Sequence, residues 1–476
     1  MNITFPQFLK IAYQKEDYSK NHWNLSLVQE SYKALQDYLK SSQEPKLLYG
    51  VDTSFGPHAF ASTESKLDLQ KSLIHHLSVQ NESSPKLDHI EARAVLLARI
   101  HVLTRGYSGV SEGLLIILQE MLNKDVIPIF PLRGSLGASG DLIPLSSIGR
   151  CMMGESLSQG KGDYNSIKGL PRVLDVKEGI ALTNGTSFMV GTMCIHLHQY
   201  KVLVESALNL IEKLFTKLPV FPDAFHPDLA ILNSSQGMKK VSDQLYKYLL
   251  HRTKKVNQRV QDSYIIRALP QIFGAIFDEI DDLEVSITKE INTISDNPVY
   301  SPSEKRFIEA AMFYGSHISS AIDRLNMSMV NFANYLDRMI QFLLDPNENE
   351  QRLPLMLSVS PGRYAGLAGL GLLSTHLTAE IRRDSHPASV QTIPTNGGNQ
   401  NIVPMGGIGV VRNKRTICDT KSLLAIFELC VYQSIALLDG KDKDLIVKED
   451  RSLANDLQIR EKSLESSFFS LDTVLA

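Results

Sequence analysis

Ala138, Ser139 and Gly140 stand between Gly137 and Asp141, just ahead of the apolar run Leu142-Ile143-Pro144-Leu145. Together they can do chemistry that no single side chain can. Gly140 has no Cβ, so its backbone nitrogen can approach the preceding chain more closely than any other residue allows. Ser139 carries a β-hydroxyl able to leave as water. A tight loop that pressed the Gly140 nitrogen onto the Ala138 carbonyl would close an unsaturated five-membered ring on dehydration. Its exocyclic methylene would be an electrophile absent from the twenty side chains, suited to taking up an amine covalently. An Ala-Ser-Gly string by itself is more often an ordinary turn, so the surrounding motifs decide.

Other stretches carry residues fit for chemistry. Tyr49 lies in Tyr49-Gly50-Val51-Asp52-Thr53-Ser54-Phe55-Gly56-Pro57, where two glycines and a proline make a loop. It reads either as a functional tyrosine or as a core tyrosine beside a turn. Gln261, Tyr264 and Arg267 recur at i, i+3 and i+6, so a helical segment points them the same way. Arg offers a rigid two-pronged donor that matches a carboxylate; the bland alternative is a solvated surface arginine. His75 and His76 fall in a helical stretch over 69–77, about 100° apart, which prevents them from pairing on one metal. Asn184-Gly185-Thr186 precedes a helix and suits a cap. Cys151, Cys194, Cys418 and Cys430 are scattered with no CxxC pair, which points to reduced cysteines and a cytoplasmic location rather than a disulfide framework or a zinc site.

These residues need elements to position them. The 476-residue chain is 43% apolar and 21% charged, ordinary for a globular protein, and its length suggests two or three domains. A net charge of −3 gives no pull toward nucleic acid or an anionic membrane. No secretory leader is read at Met1–Pro6, and no apolar run is read as reaching the ~18 residues that span a bilayer. Residues 1 to about 45 read as peripheral helical material. From about residue 190 the texture is long helices. Ile272, Ile276, Ile280, Leu283, Ile287 and Ile291 form one apolar stripe, and Ile318, Ile322, Leu325, Met329, Phe332, Leu336 and Ile340 form another between Ser316 and Leu344. No βαβ alternation, GxGxxG or P-loop is found, so no nucleotide cofactor is expected. The fold class expected is mainly all-α, with domains at 1–195 and 196–476, the second a long-helix bundle.

The string GSLGASGDLIPLSSIG at 134–149 closely resembles the signature of the aromatic amino acid ammonia-lyase and aminomutase family, which includes histidine, phenylalanine and tyrosine ammonia-lyases. Further motifs agree in order: Tyr49–Gly56 resembles YGxxTGFG, 261–271 nearly reproduces QDxYxxRxxPQ, and 290–298 resembles ExNxxxDNP. The resemblance implies that Ala138-Ser139-Gly140 cyclises on its own into 4-methylidene-imidazole-5-one (MIO), with no metal or nucleotide. It implies Tyr49 as catalytic base, Tyr264 with Gln261 in support, Arg267 on the substrate carboxylate and Asn184 near the MIO carbonyl. Phe307 is implied as a wall of the aryl pocket. His76-Leu77 is similar to the tyrosine lyase pattern, and Gln400 following Asn399 to the phenylalanine and tyrosine pattern, where histidine lyases place a glutamate. It also implies an ammonia-lyase/fumarase-like architecture and a homotetramer whose sites draw on three subunits. The expected reaction is elimination of ammonia from L-tyrosine to trans-4-hydroxycinnamate. A tyrosine 2,3-aminomutase, a phenylalanine or histidine ammonia-lyase, and a non-catalytic scaffold stay open. Departures stand at Asp52, Ser54, 78–82, Ile308, Asn401 and Pro404; the first two should make the base loop stiffer and more polar.

Overall fold

The computed structural model describes residues 2–41, 47–63, 65–80, 83–250, 260–441, 445–447 and 452–469, so Asn81 and Glu82 lie outside the described residues. The described chain is mainly helical, its strands forming two short antiparallel ribbons. It divides into two compact units. One takes Met1–His196, Glu284–Asp323 and Pro387–Val411; the other takes the remaining segments. The first unit is thus assembled from three separate segments, where two contiguous domains, 1–195 and 196–476, are expected from the sequence. The cause is four long helices, Ser187–Phe215, Leu269–Ile291, Ser316–Leu344 and Gly406–Asp439, each of which begins in one unit and ends in the other.

The Ser316–Leu344 helix has the span expected from its stripe, and its 29 residues make a rod of about 44 Å at 1.5 Å per residue. Every residue of that stripe is fully buried. In the Leu269–Ile291 helix the stripe is buried from Ile276 onward, with Ile272 half-buried. The Gly406–Asp439 helix corrects one expectation: by length and composition it could cross a membrane, with a mean hydropathy of 1.5 over its most apolar window. Most of that window (61%) is buried inside the protein, as in a core helix.

The first unit supplies the frame for the chemistry. Lys66–Leu77 starts where the Ser65 side chain accepts from the Asp68 amide at 3.3 Å, and it buries Gln70, Leu73, Ile74 and Leu77. It packs closely on the Leu142–Met152 helix, where a Cβ on Gly149 would lie 2.6 Å from Ile74 Cδ1. His89–Thr104 is buried from Glu91 to Thr104, its Glu91, Arg93, Arg99 and His101 side chains included. The segment expected to be peripheral is not. The Phe5–Ala12 helix buries Phe8, Leu9 and Ile11, because Arg93 of the enclosed helix caps its last carbonyls: Nε donates to Ala12 O at 3.0 Å and Nη2 to Ile11 O at 3.3 Å.

Gly191 sets the separation of two of these helices. A Cβ there would sit 2.5 Å from the Val95 amide nitrogen, which is backbone and cannot rotate away. Gly191→Ala is therefore expected to destabilise the fold by ~1–3 kcal/mol of overpacking, more than the ~1 kcal/mol that alanine adds to a helix. A lower midpoint on thermal or urea unfolding is the readout; an unchanged or higher midpoint would show that the helices can part.

Candidate active site

Gly140 has a positive φ of 74°, and a Cβ on it would lie 2.3 Å from the Gly185 nitrogen and 2.5 Å from its carbonyl oxygen. Only glycine fits that approach. The next residue ties the contact: the Asp141 amide donates to Gly185 O at 2.7 Å. The Asp141 carboxylate then accepts from the Phe188 and Met189 amides at 2.9 and 3.1 Å, at the start of the Ser187–Phe215 helix, and from the Ser135 hydroxyl. Burial pushes its carboxyl up to about 7, against these donors and nearby Arg99, which favour the ionised form.

Two side chains from distant segments meet at Ser139. Asn184 Nδ2 donates to the Ser139 carbonyl at 2.8 Å, and Gln400 Nε2 donates to the Ser139 hydroxyl at 2.8 Å. Asn184 Oδ1 is buried with no partner. Beneath Asn184, the Glu178–Thr183 helix is locked by a fully buried charge cluster. Arg99 Nε donates to Ala181 O at 2.7 Å and Nη1 to Ser295 O at 2.8 Å, while Lys177 Nζ pairs with Asp296 at 3.1 Å.

Tyr49 faces the same space. Its hydroxyl accepts from the Gly56 amide at 2.9 Å, and its ring meets Phe55 edge-on at 6.1 Å. Burial raises the phenol above its ordinary value, the Gly56 N–H lowers it, and the Glu309 charge raises it. Glu309 also accepts from the Tyr49 amide at 2.9 Å. Gln70 is fully buried and bridges two pieces of the site: its amide donates to Gly50 O at 2.9 Å, and its carbonyl accepts from Ile180 N at 3.2 Å.

A cavity of about 470 Å³ joins these groups. Tyr49, His76, Leu77, Ser139, Asn184 and Gln400 all line it, as expected from the sequence, with Ser54, His58 and Asn396 in addition. Ala138 is buried beneath Ser139, in a cluster with Met405 and Val403. Among the described residues, no lysine or arginine lines this cavity. His76 Nδ1 lies 3.2 Å from Ser72 O. That contact assigns the ring proton to Nδ1, which leaves Nε2 of the neutral ring as an acceptor.

Five expected residues are elsewhere. Phe307 sits in the Arg306–Ile308 strand, where it packs on the Leu35, Leu48, Val51 and Val176 cluster, 5.9 Å from Lys177 Nζ, and lines a different cavity of about 760 Å³. The hairpin register with Val299–Ser301 turns it that way. Asn399 is exposed and does not line the Ser139 cavity, because a run of positive φ at Asn396, Gly397 and Gly398 presents Asn396 instead. Gln261, Tyr264 and Arg267 are together, in a cavity of about 470 Å³ lined by residues of the other unit. There Arg267 Nη1 donates to Gln261 at 2.6 Å and the guanidinium lies 4.3 Å from the Tyr264 ring, while its buried Nε has no partner.

Asp141, Gln70, Asn396 and the Arg99–Asp296–Lys177 cluster escape sequence reading. Asp141 had a signal, a carboxylate directly after the tripeptide and before a helix, and Asp296 lies in the 290–298 string.

The family profile described as aromatic amino acid lyase matches residues 3–457. A probable histidine ammonia-lyase of Thermoplasma acidophilum is 32% identical over 446 residues, 90% of this chain and 87% of the relative. A tyrosine ammonia-lyase of Cereibacter sphaeroides is 30% identical over 458 residues, 89% of this chain and 86% of the relative. Among solved structures, a phenylalanine aminomutase of Pantoea agglomerans superposes with a TM-score of 0.86 at 25% identity, covering 98% of each chain. With a match over almost its whole length, the chain belongs to the aromatic amino acid lyase family, a family of carbon–nitrogen lyases.

Proposed function

We propose that the protein is an ammonia-lyase that converts L-tyrosine to trans-4-hydroxycinnamate with an MIO group made from Ala138, Ser139 and Gly140. One observation carries this reading: Ser139, held by Asn184 and Gln400, shares a single cavity with Tyr49 and His76. The residues present fit the group. Gly140 is held in a conformation and a space that exclude any Cβ, and an asparagine amide already binds the Ser139 carbonyl. Once formed, the group supplies an electrophilic carbon for the substrate amine, which is otherwise a poor leaving group.

The chain's own residues do the rest. Tyr49 removes the β-proton, and the Gly56 N–H bonds the phenolate oxygen that this requires. His76 Nε2 accepts from the substrate phenol, so phenylalanine would leave that acceptor unpaired. Gln400 carries no charge to pair with an imidazolium, which favours tyrosine over histidine. Arg267 holds the carboxylate. Arg267 lacks a carboxylate partner among the described residues, and we infer that it reaches the substrate within a homotetramer whose sites are shared between copies.

Assays with tyrosine, phenylalanine and histidine test the substrate, and chiral analysis for a β-amino acid separates a lyase from an aminomutase. Wild-type protein should be lighter than its sequence by two waters on intact mass spectrometry. Ser139→Ala should show the full sequence mass and release no ammonia; retained activity would overturn the MIO assignment. His76→Phe should lower the kcat/KM preference for tyrosine over phenylalanine by on the order of tenfold or more, since one net hydrogen bond is worth ~1–1.5 kcal/mol. Glu309→Gln keeps the acceptor for the Tyr49 amide but removes a charge that raises the phenol. The ascending limb of the kcat/KM profile, where activity rises as Tyr49 ionises, should therefore move to lower pH. A limb that stays in place would remove Tyr49 as the titrating base.

A further inference from the structure

Asp52 follows Tyr49 by three residues and does not line the Ser139 cavity. It faces the other way, toward two helices. Its Oδ2 accepts from the Leu48 amide at 2.9 Å and from the Tyr38 hydroxyl, and its Oδ1 pairs with the Lys66 ammonium. The Asp52 amide donates back to Leu48 O at 2.9 Å. Residues 48 and 52 are thus joined in both directions, and Tyr49, Gly50 and Val51 lie inside that closed turn. Tyr38 belongs to the Leu25–Lys40 helix and Lys66 to the Lys66–Leu77 helix, so one carboxylate fastens the turn to both.

We propose that Asp52 is a positioning residue, holding the Tyr49 loop in the geometry that proton abstraction needs; this rests on Tyr49 being the base. An exposed ion pair would carry no such role, because its two charges stay solvated and their net attraction is small. Asp52 is different: its side chain is 13% exposed and satisfies three donors at once. Burial works to raise its carboxyl, yet the Lys66, Tyr38 and Leu48 donors hold it below its ordinary value. The residue type matters as much as the charge. Asparagine has one acceptor oxygen, so its NH2 would have to face the Lys66 ammonium or the Tyr38 and Leu48 donors. Glutamate would place its oxygens one methylene further out and break the reciprocal pairing with Leu48.

The opposite edge of the loop has its own ties, Glu309 on the Tyr49 amide and Gln70 on Gly50 O. Losing Asp52 should therefore loosen the turn without releasing it. Misplacing a reacting group by about 1 Å costs on the order of a hundredfold in rate.

Full-length wild type, Asp52→Asn and Tyr38→Phe are compared by steady-state kinetics on L-tyrosine, pH profile, intact mass and amide hydrogen exchange. Asp52→Asn should lower kcat by roughly 10- to 100-fold, while KM stays within roughly threefold, because the lost interaction acts on the base and not on uniform binding. Tyr38→Phe, which removes a single hydroxyl, should move kcat in the same direction by less. Both should keep the two-water mass deficit and, unlike Glu309→Gln, the wild-type ascending limb. Exchange should rise in peptides covering 47–56 and not in those covering 134–142. An unchanged kcat would overturn the proposal, as would a KM effect alone or exchange that rises in both regions. A variant that loses the mass deficit together with its melting temperature would make Asp52 a folding residue instead, and Tyr38→Phe then decides. Should wild type release no ammonia from any aromatic amino acid, the functional reading fails, and the exchange contrast still tells whether Asp52 holds the loop.

Discussion

The site depends on one close approach, the backbone of Gly140 against that of Gly185. At this separation no side chain can intervene, so the tripeptide loop is placed by its neighbours' backbone rather than by packing. The Asp141 amide on Gly185 O fixes one side of the contact. The Asp141 carboxylate, bound to the first amides of the Ser187–Phe215 helix, fixes the other. A carboxylate at a helix N-terminus satisfies donors that have no intrahelical partner and meets the positive end of the helix dipole. Burial works against that charge, as its raised pKa shows. The arrangement is therefore held by many donors around one expensive anion, and Ser139 reaches Asn184 only because those donors agree.

The same economy appears one layer below. Arg99, Asp296 and Lys177 are fully buried, and an isolated ion there would cost several kcal/mol. Paired, such groups add little net stability, but they forbid alternatives, since any shift strands a charge. Arg99 reaches Ala181 O and Ser295 O, so the helix that ends at Asn184 is registered against the 295–298 turn. Gln70 registers that helix against the Tyr49 loop in the same way, with neutral groups. Three segments far apart in sequence are thus located to hydrogen-bond tolerance around Ser139.

Much of this was legible in the residues. The apolar stripe from Ile318 to Ile340 marks its helix to the residue, because a period of three to four with no polar break admits one face only. The tripeptide, Tyr49, His76, Leu77, Asn184 and Gln400 could be placed together because motif and local type agree. The failures share a cause: they turn on which way a residue faces. Gln70 looks like a polar interruption of an amphipathic helix, and only the fold reveals a carbonyl and an amide on either side of it. Phe307 and Asn399 lie near the expected positions, but the strand pairing of a hairpin or a run of left-handed backbone aims the side chain elsewhere. The first helix looks peripheral because its ties come from Arg93, about eighty residues on.

The base poses the last physical problem. A buried phenol resists ionising, and within its own cavity Tyr49 has a single compensating donor, the Gly56 N–H, set against the Glu309 charge. Among the described residues, no lysine or arginine lines that cavity. In the proposed function the positive field that a phenolate needs would come with Arg267, whose buried Nε is unpaired. In the proposed assembly the guanidinium that orients the substrate also brings positive charge toward the base. Binding and acid–base competence would then be one event.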